Sequence, residues 1–412
     1  MSFNTALSGL RAANQDLAVT GNNIANASTT GFKESRAEFG DVYANSILGT
    51  GSRTPGSGVL VNSIAQQFGQ GNVSITNNSL DLAVNGSGFF IVNNQGSPAY
   101  TRAGNFSLDS NGYIVSSTNA NLQGFSASPS GQILSGALTN LRIQTSDIAP
   151  NATTNVDLRF NLDSGAKVPS TVPFNPTDAT SYNWSTAATV YDSLGNPHVL
   201  TSYYVKSATP PALPLTGTNW TVHSNLDSSG APHNLGTITF DTGGALTAPV
   251  PSTLGDSWTP SGAAAPLTFT LSLNGSTQFG TASTVNSLAQ NGYAPGRLAG
   301  INIDDTGIVF ARYSNGKALT LGQIALANFS NPQGLSPIGN TSWAESFDSG
   351  QPVVGAPQSG SRGSIQAGAL EDSNVDLSTQ LVKLILAQRN YQANAKTIET
   401  DNAVTQTIIN LR

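Results

Sequence analysis

The chain has 412 residues, of which 38% are apolar and 10% charged, with a formal net charge of -6 and no cysteine. Its 17 lysines and arginines are scattered singly, which argues against nucleic-acid binding because phosphate affinity needs grouped cations. Without cysteine, disulfides, thiolate metal sites and cysteine nucleophiles are excluded, and no apolar run approaches the ~18 residues of a membrane-spanning helix.

Glycine is in excess, at 42 residues or about a tenth against a usual ~7%. Asn, Ser and Thr fill much of the remainder, a mix suited to many short strands joined by tight turns. At roughly 150 residues per domain the length suggests two or three domains. The expected fold class is multidomain α+β, with N- and C-terminal helices paired as a coiled coil. Two mainly-β domains lie between the helices, an outer one nested in an inner one. The expected boundaries are 1–25 with 373–412 for the helical ends, and 26–72 with 357–372 for extended linkers. The inner β domain takes 73–146 with 288–356, and the outer one 147–287.

The N-terminus reads MSFNTALSGLRAANQDLAVTGNN. It lacks the basic and apolar regions of a cleaved leader, so export is expected to proceed without a signal peptide. Phe3, Leu7, Leu10, Leu17 and Ile24 fall at steps of 4, 3, 7 and 7, a heptad seam with polar Asn14 in one core slot. Beyond it, 80–92 (LDLAVNGSGFFIV) holds two apolar runs around Asn85-Gly86, and 106–115 (FSLDSNGYIV) holds Asn111-Gly112, both hairpin signals. Further strand-like segments are 155–162, 187–192, 199–206, 236–241, 266–273 and 307–313, and the Pro/Ala/Thr/Gly-rich stretch 207–265 reads as the loosest part.

At the C-terminus, Ser373 and Asp376 have capping-box spacing. Leu377, Leu381, Leu384, Gln388, Tyr391, Ala395, Ile398, Asn402, Thr405 and Ile409 then alternate by 4 and 3, with no Gly or Pro from 376 onward. A helix of ~36 residues would span about 54 Å. The assembly seam is therefore assigned to Leu7, Leu10, Leu17, Ile24, Leu377, Leu381, Leu384, Tyr391 and Ile398. Pattern alone also fits an intramolecular hairpin. Polar Asn14, Gln388, Asn402 and Thr405 in seam slots weaken a lone pair and suit register-specific association. Helices disordered in the free subunit and folded on assembly are the expectation.

Chemistry is sparse. His198, His223 and His233 form no metal or triad spacing and are expected at surface or edge positions. No G-x-S-x-G elbow occurs. Gly316-Lys317 is followed by Ala318, without a phosphate loop's hydroxyl. Asp304, Asp305 and Gly307 lack the remaining calcium ligands and read as a β-turn. Phe89, Phe90, Tyr100, Phe106, Tyr113 and Phe125 are expected as core, with a carbohydrate platform as the alternative. No catalytic, cofactor or metal residue is assigned, and no enzyme activity is expected.

Residues 22–39, NNIANASTTGFKESRAEF, resemble the N-terminal signature of the bacterial flagellar axial proteins, the group of rod, hook and hook-associated proteins. The signature positions are Asn22, Asn23, Ile24, Ala25, Asn26, Thr30, Gly31, Phe32 and Lys33. Residues 368–398 look like the matching C-terminal signature, with Ser373, Asn374, Val375, Asp376, Leu377, Gln388, Arg389 and Tyr391. The segments TVYDSLGNPHVLTSYYVK (189–206) and RYSNGKALTLGQIALANFSNPQGL (312–335) resemble the hook branch of that family. Gln380 departs from the pattern, since related sequences often carry Glu there, which removes a possible ion pair.

The resemblance implies a structural subunit of an extracellular flagellar hook, a curved tube acting as a universal joint that passes motor torque to the filament. Implied partners are the chain itself, the distal rod protein, the hook cap and hook-associated proteins, and the flagellar type III export apparatus. Neither nucleic acid nor membrane insertion is implied. Phe3 and Leu7 match the pattern linked to export recognition. The rival readings are a distal rod or hook-associated protein, and a secreted β-rich adhesin or glycan-binding module.

Overall fold

A computed structural model describes residues 2–42, 56–128, 131–144, 146–209, 217–228, 231–260 and 265–410. Residues 43–55 of the expected linker and 411–412 of the expected C-terminal helix lie outside the described residues. Two helices bracket the chain: α1, Ser2–Ala25, and α2, Leu377–Asn410. Among the described residues, everything else that is regular is strand, apart from the short 3-10 turn Pro332–Gly334. The chain divides into two compact units. One holds 1–145, 300–312 and 318–412; the other holds 146–299 and 313–317.

The first unit carries both helices and a sheet whose central path runs through Ile308–Tyr313, Ala318–Ile324, Asn121–Ala127, Phe89–Asn94, Ser97–Thr101, Ser342–Ala344 and Ser336–Gly339. Phe89, Tyr100, Phe329 and Trp343 are buried in it, with Phe68 packed against them, and meet mostly edge to face, at centroid separations of 4.7 to 6.0 Å. That geometry suits the ring quadrupole. Of the six aromatics expected as core, five are buried and Tyr113 is half-buried.

The second unit is built from two five-stranded sheets. Asn155–Asp163 is central to one; the other runs in order from Trp184–Tyr191 to Leu246–Ala248. Apolar side chains from both sheets share one core, including Phe160, Tyr204, Trp220 and Phe269. Within 207–265, read as the loosest part, Thr218–Leu226 pairs with Pro197–Lys206 and Thr253–Trp258 with Leu267–Ser272, while 210–216, 229–230 and 261–264 lie outside the described residues.

Three expectations are corrected. Asn85-Gly86 does not close a hairpin: Leu82–Asn85 pairs with Ser364–Ala367, while Phe89–Asn94 pairs with Ser97–Thr101. The hairpin turn sits at Gln95-Gly96, where both residues take positive φ, 52° and 98°, as a tight two-residue turn requires. Asn111-Gly112, by contrast, does join paired strands, Phe106–Leu108 and Ile114–Ser116. The stretches expected as linkers contain paired strands: Ser35–Asp41 with Val59–Gln66, and Ala369–Glu371 with Val73–Ile75. Finally, Thr284–Gln290 pairs with Asn155–Asp163, which carries the second unit past residue 287 to 299.

Candidate assembly site at the junction of the terminal helices

The two helices run antiparallel. Asn23 Nδ2 donates to Gln380 Oε1 at 3.2 Å, and further along Gly9 faces Asn394, whose Oδ1 would lie 2.5 Å from any added Cβ. Small side chains make this close approach possible: Ala6, Ala12, Ala13 and Val19 of α1 and Ala387 of α2 are buried. Asp16 lies partly buried near Lys383; burial raises its carboxyl pKa and the ammonium opposes that rise. Past residue 401, every described α2 side chain is exposed.

The expected seam splits between two faces. Leu7, Leu10, Leu17 and Ile24 are half-buried, as are Leu384 and Ile398. Leu377, Leu381 and Tyr391 are exposed, and so are Val382, Ile385 and Leu386. Leu381, with 46% of its surface in water, belongs to a second apolar face on α2 that α1 does not cover. A helix apolar on both sides is normally buried on both. Phe3 is also exposed.

Much of the signature is a hydrogen-bonded knot that fixes these helices to the β structure. Asn23 Oδ1 accepts from Ser35 N–H at 2.9 Å, and its amide donates to Ser35 O at 2.8 Å. Asn374 Oδ1 accepts from Glu34 N–H at 2.7 Å, and its amide reaches Gln67 O at 2.7 Å. Asn26 bonds back to Asn22 and accepts from Thr29 Oγ1. Gly31, at φ 68°, sits so close to Ala103 that a Cβ would come within 2.4 Å of that residue's backbone nitrogen. Asp376 itself caps α2, accepting from Thr379 N–H at 2.7 Å, and the bonds from Thr379 hold its carboxyl pKa below the usual value. Ser373 instead accepts from Val375 N–H, so the expected capping box is a single Asp cap. Thr30, Phe32 and Val375 are half-buried, whereas Ala25, Gln388, Arg389 and Tyr391 face water.

Charge is concentrated beneath this knot. Glu371, fully buried, accepts from Lys33 Nζ at 2.5 Å, from Arg102 Nη1 at 3.1 Å and from Gly71 N–H at 2.9 Å. Lys33 also reaches Gly69 O, and Arg102 reaches Gly86 O, each at 2.8 Å. Burial pushes the Lys33 and Arg102 pKa values down, and the Glu371 carboxylate opposes that in both. Gln380, also buried, donates to Glu34 Oε1 at 2.8 Å, and Lys383 pairs with the same oxygen at 2.7 Å. A glutamate at 380 would meet the Glu34 carboxylate, so glutamine complements this site and the ion pair forms through Lys383. Arg102, Glu371, Glu34 and Lys383 escaped the sequence reading. The one signal available was the rarity of charge itself, at 10% of residues.

Of the three histidines expected at surface or edge positions, one departs from that: His198 is buried, whereas His223 and His233 are half-buried. His198 is buried between Asp227 (2.6 Å) and Asp192 (3.4 Å). His233 stacks on Trp258 and bonds Asp256 at 2.8 Å, while His223 stacks on Phe174. Ser224 also bonds Asp256, but it is the carboxylate, not the imidazole, that touches the serine. That arrangement does not place a general base on the hydroxyl as a triad does. Asp304 closes the expected turn, accepting from Thr306 and Ile308 N–H.

Four family descriptions match the chain: Flagella basal body rod protein over 3–33, Flagellar hook protein FlgE/F/G D1 domain over 83–159, Flagellar basal body protein FlaE D2 domain over 161–293, and Flagellar basal body rod FlgEFG protein C-terminal over 366–411. Terminal helices joined to a mainly-β body, with these matches from end to end, define an axial component of the bacterial flagellum. Flagellar hook protein FlgE of Escherichia coli is 39% identical over 100% of both chains, and that of Salmonella typhimurium 40% identical over 100% of both. That of Borreliella burgdorferi is 34% identical, covering 100% of this chain and 99% of its own. The chain belongs to the flagellar hook protein family. The crystal structure of Helicobacter pylori flagellar hook protein FlgE2 shares the fold with a TM-score of 0.56 at 17% identity, covering 72% of this chain and 100% of that one.

Proposed function

We propose that the chain is the structural subunit of a bacterial flagellar hook, polymerising into a flexible curved tube that transmits motor torque to the filament. The observation that carries this reading is the second apolar face of α2. Leu377, Leu381, Val382, Ile385 and Leu386 stand about half exposed on a helix whose other side is already committed to α1. Covering the exposed half of each side chain is worth roughly 1 kcal/mol, so about 5 kcal/mol per helix favours association. The helices pair within a subunit and form coiled-coil contacts with neighbouring subunits, lining the tube. The β units, one inserted in the other, make its outer shells, where polar, charge-poor contacts exchange with water as the tube bends.

Phe3, exposed on the first turn, and Leu7 serve export recognition by the flagellar type III apparatus, which delivers the subunit outside the cell. The distal rod protein, hook cap and hook-associated proteins are its end partners. In the test, Leu381→Asp places a charge on the uncovered face, and electron microscopy under salting-out conditions reads tube formation. Loss of tubes with the second unit still folded is the expected result. Normal tubes from this variant would refute the assignment of that face.

A further inference from the structure

Phe347 has 100% of its surface in water. Single exposed apolar side chains are ordinary on soluble proteins; what sets this one apart is the rigidity of its stalk. The buried hydroxyl of Ser349 accepts from Ser346 N–H at 2.9 Å, and Ser346 Oγ accepts from Asp348 N–H at 3.1 Å and donates to Gly334 O at 2.5 Å. Asn331 Nδ2 ties Asp348 O from outside the loop at 3.0 Å. Gly334 lies so close that an added Cβ would come within 2.4 Å of the Asp348–Ser349 backbone. The loop is therefore bonded on both sides of residue 347, and no packing contact shields the ring.

Phe347 also follows the end of its sheet. Ser336–Gly339 is the last strand of the path, exposed throughout, and pairs with Ser342–Ala344 on its inner side. Free edges invite strand addition, but Pro337 in this one has no N–H to give. The surface thus offers an apolar knob rather than a backbone ladder. A large aromatic on a backbone already ordered loses only its own χ1 and χ2 freedom on docking, which suits it to anchor a protein interface.

We propose that Phe347 anchors a lateral contact between the β bodies of neighbouring copies of this chain. The inference rests on the homopolymer reading: in such a tube each body is flanked by identical bodies, so the partner available to a fixed group on it is another copy. The contact is heterologous, with the ring of one copy seated on a different surface of the next. It is separate from the α2 face, lying on the β structure.

The chain has no cysteine, so Phe347→Cys introduces a single thiol. Doped at a few percent into wild-type protein, it leaves the tubes intact, and its maleimide reactivity is compared between free subunits and tubes. A fall of about tenfold or more on assembly is expected. Phe347→Ser alone is expected to raise the critical concentration for polymerisation about tenfold, with Phe347→Trp restoring it. Equal thiol reactivity in tubes and free subunits overturns the proposal and leaves the homopolymer reading standing. Failure of the wild-type chain to form tubes overturns both.

Discussion

Replacing Glu371 by Gln keeps the volume of the side chain and removes the one anion facing two buried cations. In the native chain both carboxylate oxygens are used, one by Lys33 and the Gly71 N–H, the other by Arg102. An amide offers one acceptor and turns an N–H₂ toward a donor on the other side. Lys33 and Arg102 keep their carbonyl partners, so the loss is less than complete exposure of two bare charges. Breaking a buried pair by removing one partner costs about 3–5 kcal/mol, and the surviving acceptor argues for the lower end, about 3 kcal/mol. Urea unfolding followed at Trp343 reports the first unit, while Trp184, Trp220 and Trp258 report the second. Only the first transition should move. Lys33→Met in the Glu371→Gln background should cost less than the two single changes summed, because the ion it removes is already unpaired. A Glu371→Gln variant losing under about 1 kcal/mol, or strictly additive costs, would mean that the cluster is not the tie that its geometry describes.

The remaining predictions concern charge and pH. Gln380→Glu should cost on the order of 1 kcal/mol at neutral pH by setting a second carboxylate on Glu34, and the loss should fade as the pH falls toward ~4, readable from the same urea transition. In the second unit, burial works against charging His198, but the bonds to Asp227 and Asp192 win and raise its pKa. Its stabilising contribution is therefore complete below the unfolded imidazole value of ~6.5 and is lost as pH rises through the higher folded value. The Asp192 carboxyl, held low by Asn196 and His198 despite the burial that raises it, contributes in the opposite sense, and its share is lost as pH falls through the folded carboxyl value. His198→Gln should flatten the alkaline slope of the second unit's denaturation midpoint; an unchanged slope would assign that dependence elsewhere.

Helix α2 was legible because a 3-and-4 alternation uninterrupted by Gly or Pro has few other outcomes, and it starts one residue after its Asp376 cap; α1 showed the same seam despite Gly9 and Gly21. What the seam could not say is which side faces α1. Near its start α2 is apolar over much of its circumference, and α1 lies on the side that carries buried Gln380 and Ala387, where Asn23 bonds Gln380; farther along, Gly9 lets α1 approach Asn394. Asn85-Gly86 reads as a hairpin in the sequence but closes none, since a turn signal gives no destination for the strand after it. The pairing of 364–371 with strands almost 300 residues earlier in sequence is non-local and left no mark in the composition of the stretch. In the knot, Asn22, Asn23, Asn26 and Asn374 were found as a pattern, whereas Arg102 and Glu371 depend on three distant segments meeting.

The antiparallel pairing of Gly9 with Asn394 leaves the two helices unequal in reach. By that register the start of α1 falls opposite about residue 401, and the described remainder of α2, residues 402–410, runs on alone for about 14 Å. If subunits stack along their helix axes, each overhang lies across the joint between its own copy and the next, as staggered planks cross a seam. Axial load then passes as shear along overlapping helices instead of as tension at butted ends. A tube joined in this way can let one row lengthen while the opposite row shortens without opening a gap at any single plane.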